Sequence, residues 1–404
     1  MKSIKIILII SCILTVSTSL FAQKNPLKAG DKAFREGDYY TAQVNYRKAL
    51  DADSSKLEVL YKYAEACRLS NDYKPAERYY KIVFTKDKTI PPLYPMCQFW
   101  LATMMKHNGK YNDAKKNFKQ YSSKNKASTD FAAKKAKWEI TACDAAIALS
   151  KTVDSNLIVM HMDTSVNSQN SEIGPYQLGD SIFYFTSMRT DFTIKDPKEK
   201  EEVTMKLAQV YKNYRRGDSL WVNTKALTPM FNAPETNNSN CVFSTDKKRF
   251  YFVRSKPTLT SEGLSEIYVC ELKGNRWQPA VRLNDPVNLA NYNTTQPFIS
   301  SNGKKGDFLY FASDRPGGKG KFDIYVCTVS PDGKYSQPVN LGEKINTPDN
   351  EVTPYFDDKT QTLFFSSEWH KGLGGLDVFK SAKSGANWAE PQNLAYPINT
   401  SYND

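Results

Sequence analysis

The sequence predicts an α+β multidomain protein in which an α-helical repeat solenoid precedes an all-β propeller of four-stranded blades. Three observations carry that prediction. The stretch FLYFASDRPGGKGKFDIYVC (308–327) returns in imperfect form as LFFSSEWHKGLGGLDVFKS (363–381), setting Asp323 and Asp377 54 residues apart, and repetition at such a period belongs to propellers and other repeat arrays. Upstream, Ala42, Ala76 and Ala114 recur at separations of 34 and 38 residues. After Lys151 the apolar pattern changes from a helical period to the two-residue alternation of strands.

The chain opens with MKSIKIILIISCILTVSTSLFAQ, in which Lys2 and Lys5 precede an apolar run from Ile6 to about Leu20. That is the pattern of a secretory signal peptide over residues 1–22, with the mature chain starting near Gln23. Export to the periplasm, or to the periplasmic face of the outer membrane, is expected. Lipid attachment through Cys12 is the weaker alternative, because the apolar run before it is short. No later stretch approaches the roughly 18 apolar residues that a membrane span requires. The six cysteines left after cleavage are thinly spread and form no C-x-x-C pair, so neither a disulfide framework nor a zinc site is expected. Cys270 and Cys327 end matching IYVC runs and read as buried packing on equivalent strands.

The formal net charge of +12 is unevenly placed. Residues 24–151 hold 25 Lys and Arg against 14 Asp and Glu, whereas residues 152–404 hold 28 against 29. The basic surplus thus belongs to the first domain, where it favours an acidic partner.

In that domain, residues 23–151, the segments GDYYTAQVNYRKAL, NDYKPAERYYKIVF and GKYNDAKKNFKQYS align on the three alanines. A small residue stands twelve places before each (Gly30, Ala64, Ala102) and an aromatic four places after (Tyr46, Tyr80, Phe118). Three prolines in KTIPPLYPM mark a longer loop before the third unit. The segment from Ser128 to Ser150 reads as a further helix covering the end of the stack, with Ser128 or Thr129 as N-cap. The units resemble the tetratricopeptide repeat, a helix-turn-helix that needs small residues where its helices touch. The resemblance implies a protein-binding groove lined by the first helix of each unit: Asp31 and Arg35, then Tyr61, Glu65 and Arg68, then Phe99, Thr103 and Lys106. A protein partner with an acidic segment would suit that mixture of cation and aromatic; the alternative is a solvated face with packing aromatics. Asp31 and Glu65 stand where the carboxylate-clamp version of the repeat has Asn, which disfavours recognition of a C-terminal carboxylate. Scattered lysines and export argue against nucleic acid.

From residue 152 to 404, four hairpins read in register, starting near Pro175, Val242, Pro297 and Pro354, each with Gly, Asp or Asn at its turn. A third strand follows in each, as LAQVYKN, EIYVCEL, DIYVCTV and DVFKSAK. A fourth contains Pro and Asn, best seen in PVNLGEKINT and PQNLAYPINT. Four strands per unit make blades. The phrase SDRPGGKGKFDIYV looks like the blade signature of TolB-type propellers, in the layout of OmpA-family envelope proteins of Bacteroidetes and of PorE-like accessories of type IX secretion. That family carries a peptidoglycan-binding OmpA domain after the propeller. No such sequence follows here, so peptidoglycan binding is not expected of this chain, and its propeller is expected to be incomplete.

Asp314, Arg315, Asp323 and Asp377 recur with the blades, which favours an architectural role over a ligand or ion site. The Gly-rich loop 316–320 joins two strands rather than opening a helix, so it lacks the warrant of a phosphate cradle. The histidines are His107 near a helix end, His161 in a strand-like run and His370 in a hairpin loop. No G-x-S-x-G or H-E-x-x-H motif occurs. No catalytic, cofactor-binding or metal-binding residues are assigned. The expected function is a non-enzymatic envelope scaffold for protein partners; the alternative is a glycan-binding or carbohydrate-active propeller.

Overall fold

The computed structural model describes residues 25–404 except 90, 153–156, 196–201, 218–219, 259–260 and 262. The expected signal peptide and Cys12 lie outside the described residues. Helices α1 (Pro26–Arg35), α2 (Tyr39–Ala52), α3 (Leu57–Leu69), α4 (Tyr73–Lys86), α5 (Cys97–His107) and α6 (Tyr111–Lys124) form three antiparallel pairs, and α7 (Phe131–Leu149) closes the stack. The repeated small residues do what their size demands. Ala42, Ala64, Ala76, Ala102 and Ala114 are fully buried beside Tyr46, Tyr80 and Phe118, and a Cβ on Gly30 would lie only 2.6 Å from the Tyr46 ring. α7 starts on a different cap from the one expected: Asp130 accepts from the Ala133 amide at 2.7 Å, while the Ser128 hydroxyl donates to Asp130. A carboxylate placed one residue closer to the helix outcompetes the two hydroxyls.

The second half is four antiparallel sheets arranged as a propeller. The first holds β1 (Glu172–Leu178), β2 (Ile182–Lys195), β3 (Glu202–Arg216) and β4 (Leu220–Ala226). The second holds β5 (Asn237–Phe243), β6 (Arg249–Ser255), β7 (Glu266–Lys273), β8 (Arg276–Trp277) and β9 (Val281–Arg282). The third holds β10 (Thr294–Ser301), β11 (Asp307–Ser313), β12 (Asp323–Val329) and β13 (Val339–Asn340). The fourth holds β14 (Glu351–Asp357), β15 (Thr362–Ser367), β16 (Asp377–Ser384), β17 (Asn387–Trp388) and β18 (Gln392–Asn393). Each sheet packs on the next in chain order. His161 belongs to no strand and is exposed, contrary to the strand-like reading of its neighbourhood.

The sheets share one construction. Each innermost strand carries a bulge, with Gly174, Asn240, Gln296 or Thr353 at positive φ, which bends the strand and adds twist. Beneath it, one aromatic pair repeats across the second and third strands: Phe185 with Tyr211, Phe252 with Tyr268, Phe311 with Tyr325, and Phe365 with Phe379. A buried asparagine then takes both backbone groups of one third-strand residue: Asn232 on Val210, Asn288 on Ile267, Asn346 on Ile324 and Asn399 on Val378. Its side chain satisfies the amide and shares the carbonyl with a backbone amide, that of Leu227, Leu283, Leu341 or Leu394. Cys270 and Cys327 are buried free thiols, each packed in the core shared with the preceding sheet.

Candidate functional site

The helical stack is seated on the loops of the third and fourth sheets. Trp138 of α7 stacks on Trp369 at 5.6 Å, and its indole N–H donates to the Trp369 carbonyl at 2.6 Å. His107, the last residue of α5, stacks on Tyr73 at 4.3 Å, and its Nδ1 lies 3.3 Å from the Ser401 carbonyl. At the seam, Lys106 meets Glu139 at 2.8 Å, Lys135 meets Asp349 at 3.1 Å, and Lys321 meets Asp349 at 2.8 Å. Burial alone would discharge these groups. Glu139 keeps Lys106 above the usual lysine range, and Lys106 with Lys135 holds Glu139 below the usual carboxylate range. Burial, helped by the charge of Lys106, pushes His107 down to about 4, so at neutral pH it is an uncharged packing group.

On this frame the eight expected groove residues fall along one face of α1, α3 and α5, where spacings of three and four residues bring them into line. They border two adjoining hollows. The first, about 670 Å³, belongs to the helices and contains Asp31, Arg35, Tyr61 and Glu65. The second, about 300 Å³, lies between the domains and contains Arg68, Phe99, Thr103 and Lys106. The Glu65–Arg68 ion pair, at 2.7 Å, stands where they meet.

The residues differ in how free they are. Tyr61 stacks on Tyr94 at 4.1 Å and forms an aromatic wall of the first hollow, whose rim carries Asp31 paired with Lys62 at 2.9 Å. Arg35 is exposed. Phe99 is buried against Trp100, Phe118 and Tyr121, and Thr103 returns its hydroxyl proton to the Phe99 carbonyl. Lys106 is buried with Glu139 and is not the solvated cation its place in the repeat suggests. Glu139 stands on the closing helix, whose register against α5 no spacing in the repeats specifies.

The recurring charged residues of the blades are likewise spent on architecture. Arg315 lies 4.8 Å over Phe311 and reaches back to the carbonyls of Pro286 and Val287. Arg189 and Arg254 do the same over Phe185 and Phe252, reaching Val166 and Phe231, and His370 takes that place in the fourth sheet with Nε2 3.1 Å from the Ile345 carbonyl. Asp314 accepts from the backbone and side chain of Asn293. Asp323 and Asp377 accept the amides of their own Gly-rich loops, at Lys319 and Gly320 and at Leu373 and Gly374. An internal carboxylate therefore already fills the place a phosphate would take. Sequence spacing exposed these repeats but not the asparagines, whose signal is a second Asn four or five residues further on. Asn293, Asn350 and Asn403 each accept from the backbone amide just before the same third strand, and Asn237 accepts from the Ala208 amide inside it.

Among the described residues four carboxyls are pushed up by burial: Glu351 to about 8, Asp377 to about 6, and Glu368 and Asp404. Glu351 accepts from Thr347 and Ser367 and is wholly enclosed, so no substrate oxygen can reach it in this arrangement.

Fold and site together define a protein that joins a stack of helix pairs to a four-bladed propeller. No family model matches the sequence, and no curated protein matches it. Among solved structures, the chain is similar to the α-L-arabinofuranosidase Arb93A of Fusarium graminearum bound to an iminosugar inhibitor, at 14% identity and a TM-score of 0.34, over 56% of this chain and 66% of that one. It is also similar to a protein of unknown function from Dyadobacter fermentans, at 11% identity and a TM-score of 0.35, over 57% and 66%. The chain thus spans just under two thirds of either protein, and similarity at this level says nothing about activity.

Proposed function

We propose that this protein is a non-enzymatic scaffold of the cell envelope that binds a protein partner as an extended segment along the first helices of its repeats, which we read as tetratricopeptide repeats. One observation carries the reading: the face of α1, α3 and α5 holds two adjoining hollows with aromatic walls and charges of both signs at the rim. An extended peptide offers backbone groups to such charges and side chains to the aromatic walls. An N-terminal segment with the pattern of an export signal suits a periplasmic site of action, and helical repeats followed by a propeller suit an accessory of outer-membrane assembly or of type IX secretion. Affinity capture from envelope extracts tests this, with the mature chain compared against Tyr61→Ala. A partner retained by the native chain and lost by the variant is expected. Identical captures, or none, would remove the reading.

A further inference from the structure

Four asparagines of the propeller each hold one third-strand residue, and a fifth, Asn167, stands in the same turn ahead of the first sheet. Met162 precedes it by five places, as Leu227, Leu283, Leu341 and Leu394 precede Asn232, Asn288, Asn346 and Asn399. The Asn167 amide donates to the Asp163 carbonyl at 2.9 Å, as Asn346 donates to Gly342 and Asn399 to Ala395. Its Nδ2 bonds the Met162 carbonyl at 3.1 Å, as that of Asn288 bonds Leu283 at 2.7 Å. Arg189 donates to the Val166 carbonyl at 2.6 Å, as Arg315 does to that of Val287. Val166 is buried with Phe185 and Tyr211, so the turn is fixed to the first sheet.

This fifth clasp holds no strand among the described residues. Asn167 is half-buried where the other four are buried, and its Oδ1 accepts from no donor among the described residues. The Met162 amide likewise has no acceptor among them, whereas its counterparts Leu283, Leu341 and Leu394 donate to the clasped carbonyl. Just upstream, Leu157, Ile158, Val159 and Met160 are exposed. The other four clasps show what the fifth would hold. The clasped residue is Val210, Ile267, Ile324 or Val378, and the next is Tyr211, Tyr268, Tyr325 or Phe379. In the second sheet, that aromatic and its successor pair antiparallel with Arg282 and Val281, whose places before the clasp are here taken by His161 and Met160.

We infer that residues 157–167 are a strand-binding site for an extended segment of a separate partner protein, which adds antiparallel to Met160 and His161 with a valine or isoleucine held at both backbone groups by Asn167 and an aromatic residue next in line. Addition of a strand to an open edge is a general mode of peptide recognition, with main-chain bonds giving affinity and alternate side chains specificity. The contact continues, at the outer side of the first sheet, the interface that recurs between successive sheets inside the molecule. A second copy of this chain is a poor donor, because its own asparagines already hold its four third strands. The inference stands apart from the groove on the helices and places a second partner site on the propeller.

The probe is a labelled synthetic peptide with the sequence of residues 265–272, SEIYVCEL, carrying Cys270→Ser and titrated with the mature chain by fluorescence anisotropy. Saturable binding is expected. Methylating the peptide nitrogen of Ile267 removes the proton given to Asn167 and should weaken binding at least about ten-fold, while Asn167→Ala, which loses two hydrogen bonds, should weaken it about thirty-fold. The two changes together should do little more than the second alone, because both remove the same bond. No saturable binding, or an affinity that the methyl group leaves unmoved on the native protein, would overturn the inference whether or not the Asn167→Ala variant folds. Sedimentation of the mature chain alone should show a monomer. A dimer dissolved by Asn167→Ala would place the strand in a second copy and overturn the assignment to a separate partner.

Discussion

Replacing Asn346 by alanine should be among the most damaging single changes in the propeller. The side chain is 1% exposed, accepts from the Ile324 amide at 2.8 Å, and donates to the Ile324 carbonyl at 2.9 Å and to Asn340 at 2.8 Å. Alanine strands the Ile324 amide where water cannot reach it and leaves the Ile324 carbonyl only its bond from the Leu341 amide, at 3.1 Å. At about 1–3 kcal/mol for the buried amide left unsatisfied and about 1 kcal/mol for the carbonyl's lost second bond, the loss comes to roughly 2–4 kcal/mol. Asn346→Asp keeps an acceptor for the amide and loses the donor to the carbonyl. It also buries a charge, so it should be no milder than alanine. Urea denaturation followed by circular dichroism measures the loss, and amide hydrogen exchange at Ile324 locates it. A loss under about 0.5 kcal/mol, with Ile324 exchange unchanged, would refute the claim that the repeated asparagine fastens the third strand.

Four further outcomes follow from the same geometry. Lys106→Met leaves Glu139 buried with only Lys135 nearby and should cost about 3–5 kcal/mol, read as a lowered melting temperature. Glu351, raised to about 8 by burial, binds a proton in the folded state that the unfolded chain has released. Its contribution to stability is therefore full at acid pH and lost as pH rises through about 8, so Glu351→Gln should flatten the decline in stability between mildly acid and mildly alkaline pH. Trp138→Ala removes both the Trp369 stack and the indole bond across the seam, and should speed proteolytic cleavage between the domains, near residue 152. Gly374→Ala would place a Cβ 2.0 Å from the Tyr402 carbonyl oxygen and should sharply reduce soluble yield, whereas alanine at Gly109, where nothing crowds a Cβ, meets only the strain of a φ of +72°.

Most of the fold could be read from the sequence because its parts repeat. The helix pairs show in the recurrence of Gly30, Ala64 and Ala102 with Tyr46, Tyr80 and Phe118, since only small residues fit beneath those rings. The blades show in Asp323 and Asp377, which close equivalent loops. What repeats could not reveal is what joins unlike parts. Trp138 and Trp369 lie 231 residues apart with no common period, and Lys106 looked like a ligand-facing cation because its partner Glu139 belongs to the one helix outside the repeat pattern. The run Leu157 to Met160 alternates too little to choose a face, and it is exposed without a strand to pair with. The cap of α7 was expected at Ser128 or Thr129, whereas the helix begins one residue later and Asp130 caps it.

The account is tested most directly by placing a photo-crosslinking amino acid at Arg35 and at Lys321, one in each hollow, in the protein expressed in its own cells. It predicts that both positions yield an adduct with the same partner, and that a control position lining neither hollow, such as the exposed Lys225 of β4, does not. Adducts absent at both positions, or indistinguishable from the control, would contradict it.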